Sequence, residues 1–144
     1  MKTLYEATTV ATGGRAGHVK SDHSPVDFNL SVPESMGGSG GAGANPEQLF
    51  GAAYAACFGG ALQAVAKSEG IEIDEEALSV TAIIGFCKDK EGFFLEATLD
   101  SYIPGVDLET GEDLIEKAHE MCPFSKATRD NITVTLNLLI DEDE

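Results

Sequence analysis

The feature that most constrains this chain is the run Leu49–Ala66, which contains no charged side chain. Asn45-Pro46-Glu47-Gln48 precedes it and reads as a helix start. Asn45 fits the N-cap, Pro46 the first turn and Gln48 the reciprocal capping position. Gly70 supplies the stop, so a helix is predicted from about 45 to 70. Its surface is apolar nearly all round, and such a helix must be covered on more than one side. One small sheet cannot do this. The many Ala and Gly residues allow a second helix to come close, and an obligate dimer with packed central helices is expected. The run approaches membrane-span length, but Gln63 interrupts it and its Ala/Gly composition favours a buried core helix.

The rest of the chain alternates or punctuates around this helix. Residues 3–11 read as a strand and residues 16–31 as two more, with a turn at Ser24-Pro25. Residues 33–44 form a glycine-rich loop. Strands are expected at about 77–88 and 92–103, joined by the turn Lys88–Gly92. A second helix is expected at about 108–121, ending before Pro123, and a last strand at 132–140. The order βββ-α-ββ-α-β gives an α+β fold with mainly antiparallel sheets, in a single domain spanning residues 1–144.

A formal net charge of −16 opposes binding to nucleic acid or to an anionic membrane surface. The acidic end, Asp141–Glu144, reads as a solvated tail. Met1-Lys2-Thr3 leads directly into an alternating pattern, so no secretory leader is expected. With three cysteines, this predicts a cytoplasmic protein with free or functional thiols.

Two of those cysteines sit in contrasting settings. Cys57 is deep in the apolar helix, and Cys122 stands where the second helix should stop. The pairing points to thiol redox chemistry, with Cys57 as a hidden nucleophile and Cys122 as its partner. The ordinary alternative for each is a small buried hydrophobe. Cys57 lies too far along its helix for the N-terminal dipole to stabilise a thiolate, so a cation must come from elsewhere. Arg15, in Gly13-Gly14-Arg15-Ala16-Gly17-His18, is one of only two arginines. Glu47 could hold it by bidentate pairing, or could simply complement the helix dipole. Glu47 and Cys57 are about 15 Å apart along one helix. Antiparallel pairing of two helices would bring Glu47 of one chain near Cys57 of the other, giving a shared site. Cys87, in a strand beside Lys88, reads as structural. The glycine-rich loop lacks the ending of a phosphate loop, and His119 with Cys122 finds no second pair for zinc.

Four segments together resemble the organic hydroperoxide resistance proteins, a branch of the Ohr/OsmC superfamily. They are Gly13-Gly-Arg-Ala-Gly-His18, Gly40-Gly-Ala-Gly-Ala-Asn-Pro-Glu-Gln-Leu-Phe50, Tyr54-Ala-Ala-Cys-Phe58 and His119-Glu-Met-Cys-Pro-Phe-Ser-Lys-Ala-Thr-Arg129. The resemblance covers essentially the whole chain. It implies an OsmC-like fold, an intertwined homodimer with sheets wrapped around two long central helices. It implies a thiol peroxidase without metal, haem, flavin or other cofactor. Cys57 then matches the peroxidatic cysteine and Cys122 the resolving one. Arg15 matches the arginine that stabilises the thiolate, and Glu47 the acid that orients it. The substrate would be an organic hydroperoxide and the reductant a dithiol, typically a lipoylated protein. Met36, Phe50, Tyr54, Phe58 and Phe124 would wall an apolar pocket. Two positions depart from the family pattern: Asp130 replaces a common Gly or Asn, and Lys126 a common Asn. Alternatives are an OsmC-type peroxidase of broader peroxide use and a non-catalytic redox-sensing or ligand-binding module.

Overall fold

A computed structural model describes residues 1–140. The tail Asp141–Glu144 lies outside the described residues. The chain divides into two compact units, residues 1–49 and the remainder from Phe50.

The first unit carries a three-stranded antiparallel sheet. β1 (Thr9–Thr12), β2 (His18–Ser21) and β3 (Asp27–Asn29) lie in that order. The strand expected at 3–11 is therefore confined to its last part plus one residue. Its partner explains this: Thr9–Thr12 pair residue for residue with Ser21–His18, and β2 offers nothing further. The glycine-rich loop contains a 3-10 turn at Glu34–Met36 and folds back on itself. The Gly40 amide donates to the Val32 carbonyl and the Ala44 amide to the Asn29 carbonyl.

α1 (Pro46–Ser68) starts where the capping signals place it. The Asn45 side chain accepts from the Gln48 amide at 2.8 Å, and the Gln48 side chain accepts from the Asn45 amide at 3.0 Å. Gly70, at φ 69°, ends it, and the Ile71 amide caps the Ala66 carbonyl at 2.9 Å.

The second unit packs α1 and two further helices on a second sheet. β4 (Ser79–Asp89) and β5 (Gly92–Tyr102) form a long antiparallel hairpin. Its turn is tight because the Asp89 carboxylate accepts from the Glu91 amide at 2.8 Å and Gly92 adopts φ 133°. α2 (Leu108–Met121) is capped by Asp107, whose side chain accepts from the Thr110 amide at 2.7 Å. α3 (Pro123–Thr128) follows at once, and β6 (Thr133–Leu139) ends the described fold.

Two further features differ from the expectations of the sequence. Pro123 closes α2 but also opens α3, because proline at the first helical position loses no intrahelical bond. β6 pairs parallel to β5, with Glu96 opposite Thr133 and Tyr102 opposite Leu139. The β5–α2–α3–β6 crossover makes this possible, since parallel neighbours need a long connection. The other three pairings are antiparallel, as expected.

Alternation on the strands and a helical stripe on α1 build one core. Ala97, Leu99 and Ser101 of β5 are buried, and Val134, Leu136 and Leu138 of β6 pack against the core cluster. Tyr54, Phe58, Ala61, Leu62 and Val65 recur at helical spacing and are buried with Leu114, Ile115 and Ala118 of α2. Among the described residues α1 is long and apolar enough to cross a membrane, yet this stripe is spent on the protein core.

Candidate active site

Two constellations hold the predicted residues, one in each unit. In the first, Arg15 sits on a 3-10 turn, Gly14–Ala16, between β1 and β2. The turn needs its glycines. Gly13 and Gly14 take φ 75° and 64°. A Cβ on Gly17 would stand 1.8 Å from the Thr12 carbonyl oxygen. The turn presents Arg15 to Glu47 at the start of α1. Arg15 Nη1 donates to Glu47 Oε2 at 3.0 Å and Nη2 to Oε1 at 2.9 Å. This is the two-pronged geometry that guanidinium and carboxylate favour. The Arg15 hydrogen bond holds the Glu47 carboxyl below its ordinary range against the opposing effect of burial, and the same bond raises Arg15.

In the second unit, α1 brings Cys57 against the α2–α3 junction. Cys122 closes α2 and precedes α3, and its thiol points back to α1. The Cys122 Sγ donates to the Cys57 Sγ at 3.4 Å. Both thiols are free, so this is contact without a bond. Cys122 is 0% exposed, while Cys57 is half-buried. Burial pushes the Cys57 thiol up, a hydrogen bond from the Phe124 backbone pulls it down, and Cys122 pushes it up again. Cys87 lies on β4, away from this pair in sequence; burial and then Glu96 raise its thiol.

Around the sulfurs runs a polar chain that the sequence reading did not anticipate. The Tyr54 hydroxyl lies 2.8 Å from Ser125 Oγ and 3.2 Å from Thr128 Oγ1. His119 Nδ1 lies 2.8 Å from the same Ser125 Oγ. Ser125 and Tyr54 are fully buried, and Thr128 nearly so. The Arg129 guanidinium donates to the His119 carbonyl at 2.8 Å. Burial, then Arg129, lowers the His119 imidazole below its ordinary value.

Of the residues expected to wall a pocket, Phe50 stacks edge-on with Tyr54 at 5.9 Å and Tyr54 lies 6.0 Å from Phe124. Phe50 and Phe124 are half-buried. Tyr54 and Phe58 are wholly inside the core. Met36 is half-buried at the end of the 3-10 turn Glu34–Met36 in the first unit. Among the described residues no group of three His, Cys, Asp or Glu side chains gathers to hold a metal ion.

Residues 38–137 match the family described as OsmC-like protein. The chain belongs to the OsmC-like family. Its relatives place it in the organic hydroperoxide resistance branch. The organic hydroperoxide resistance protein of Xanthomonas axonopodis pv. citri (strain 306) is 45% identical over 137 residues, covering 95% of this chain and 96% of that protein. Among solved structures, the organic hydroperoxide resistance protein OhrB of Bacillus subtilis superposes with a TM-score of 0.87 at 45% identity, over 95% of this chain and 100% of that one. The organic hydroperoxide resistance protein of Elizabethkingia anophelis gives 0.90 at 48% identity, over 98% and 100%.

In this OsmC-like chain the sequence could have exposed one missed element. Cys122-Pro123 reads equally as an N-cap followed by a first-turn proline, which announces α3. The Tyr54–Ser125–His119 chain left no local signal. Its members are 71 and 6 residues apart in sequence and meet only through packing.

Proposed function

We propose that this protein is a cysteine-based peroxidase that reduces organic hydroperoxides to alcohols in the cytoplasm. The observation that carries the reading is the contact between Cys57 and Cys122, two thiols 65 residues apart held at 3.4 Å. The names of the similar proteins, organic hydroperoxide resistance proteins, support the substrate class.

The Cys57 thiolate attacks the outer oxygen of the hydroperoxide. The O–O bond breaks, the inner oxygen leaves as alkoxide and takes a proton to become the alcohol, and Cys57 becomes a sulfenic acid. Burial alone disfavours the thiolate, so a cation is required. Arg15 fills that role and favours the departing alkoxide, with Glu47 fixing its orientation. Cys122 then attacks the Cys57 sulfur. The S–O bond breaks, water leaves, and an intramolecular disulfide forms. A dithiol such as a lipoylated protein restores both thiols by exchange. Half-buried Phe50 and Phe124 offer apolar surface that suits an alkyl peroxide over hydrogen peroxide. The protein acts as a homodimer. The exposed small residues Ala52, Ala56 and Gly60, one turn apart along α1, leave a smooth face for a second copy.

The test is steady-state consumption of tert-butyl hydroperoxide with dihydrolipoamide. Turnover in wild type, none in Cys57→Ser and a single turnover in Cys122→Ser are expected. Unchanged turnover in Cys57→Ser, or none in wild type, overturns the reading. Faster use of hydrogen peroxide than of cumene hydroperoxide would instead favour a broad-range peroxidase.

A further inference from the structure

The polar chain around Ser125 is more than a satisfied core network, because of where its members sit. Tyr54 precedes Cys57 by three residues on α1, so the two lie on one face of that helix. His119 precedes Cys122 by three on α2, and Ser125 follows it by three in α3. Every helix that meets at the sulfur pair therefore sends one polar group to Ser125 or supplies Ser125 itself.

Proton counting orders the chain. Thr128 Oγ1 donates to the Ser125 carbonyl at 3.1 Å, which uses its only proton. Tyr54 must then donate to Thr128, and Ser125 to Tyr54. Ser125 Oγ can then only accept from His119, which places the imidazole proton on Nδ1. The whole run is donor to acceptor in one direction, with no hydroxyl left unpaired. In a buried setting such a chain resists partial disruption, since each loosened member leaves another without a partner.

We propose that Ser125, gripped by Tyr54 and His119, is a positioning residue for disulfide formation: it clamps the Cys122–Ser125 turn so that the Cys122 thiol stays against Cys57. The proposal rests on the peroxidase reading. Two bonds to one hydroxyl fix the turn from both neighbouring helices, at 2.8 Å from Tyr54 and 2.8 Å from His119. The step itself is the condensation already described: Cys122 sulfur bonds to Cys57 sulfur, the S–O bond breaks, and the proton leaves with the oxygen as water. The clamp adds no reagent to it. It sets how often the attacking sulfur is in place.

The experiment is a partition. One equivalent of tert-butyl hydroperoxide is added with excess dimedone, and intact mass separates the Cys57 sulfenate adduct from the Cys57–Cys122 disulfide. Wild type should go to disulfide. Ser125→Ala should slow disulfide closure by roughly tenfold or more and shift product to the adduct; misplacing a reacting group by about an ångström can cost about a hundredfold. Tyr54→Phe keeps the ring and should shift the partition the same way, so the test survives poor folding of Ser125→Ala. His119→Asn keeps an N–H near the Nδ1 position and should remain close to wild type, whereas His119→Ala should not. Nitrogen NMR of wild type should show the Nδ1–H tautomer. Wild-type partition in both Ser125→Ala and Tyr54→Phe overturns the clamp alone. A wild-type protein that forms no disulfide overturns the peroxidase reading as well.

Discussion

Glu47→Gln tests the Arg15 pair most directly. Glutamine keeps the length of glutamate but offers one acceptor oxygen, and its amide nitrogen faces a guanidinium that can only donate. Of two charge-assisted bonds at 2.9 and 3.0 Å, one disappears and the other keeps its cationic donor but loses the anionic acceptor. A hydrogen bond to a charged group contributes about 1.5–3 kcal/mol where water is excluded. Glu47 is 13% exposed but Arg15 is 42% exposed, so screening brings the loss to about 1 kcal/mol. That corresponds to about a fivefold drop in the oriented arginine. kcat/KM for tert-butyl hydroperoxide should fall about fivefold, while reduction of preformed disulfide by dihydrolipoamide stays unchanged. Stopped-flow oxidation of the reduced protein separates the two half-reactions. The pH dependence follows from the sign of the shift. Glu47 titrates below its ordinary 4.5, so the pairing is fully present above that value and is lost only as pH falls through the lowered one. If Arg15→Ala abolishes peroxide reduction and Glu47→Gln leaves it untouched, the orienting role is wrong.

Gly17→Ala should be far more damaging than its size implies. The new methyl would meet the Thr12 carbonyl oxygen, so the β1–β2 turn must open, and peroxide reduction should approach that of Arg15→Ala while the second unit's helical signal persists. Leu62→Ala removes a fully buried side chain from α1 and should cost about 2–5 kcal/mol in urea unfolding; a loss under about 1 kcal/mol would mean that the α1 stripe is not core. His119 titrates below its ordinary 6.5 in the folded protein. The unfolded chain therefore binds that proton first, and stability should decline as pH drops below 6.5, a decline that His119→Asn should reduce. Iodoacetamide should label Cys57 well before Cys122, which is 0% exposed; peptide mass mapping would reveal the reverse.

Local signals were legible where chemistry is local. The capping box of Asn45 and Gln48, the stop at Gly70 and the turn before Gly92 each act within a few residues, and each stands where the sequence places it. The Arg15–Glu47 pairing was legible as a possibility because the chain has so few arginines. What escaped depends on partners distant in sequence. The first strand is short because β2 is short, and β6 runs parallel because a helical crossover intervenes. The Ser125 hub forms only when three helices converge.

The waiting contact between the two sulfurs also decides a race. A sulfenic acid exposed to a second hydroperoxide climbs to sulfinic acid, which a dithiol cannot reverse. That second oxidation is bimolecular and runs in proportion to peroxide, whereas closure onto Cys122 does not. A thiol already at 3.4 Å competes at an effective concentration of about 10⁵ M or more when well oriented, against peroxide at cellular dilution. Under the proposed chemistry the protein therefore tolerates surges of its own substrate, because its vulnerable intermediate is consumed from within before another oxidant can reach it.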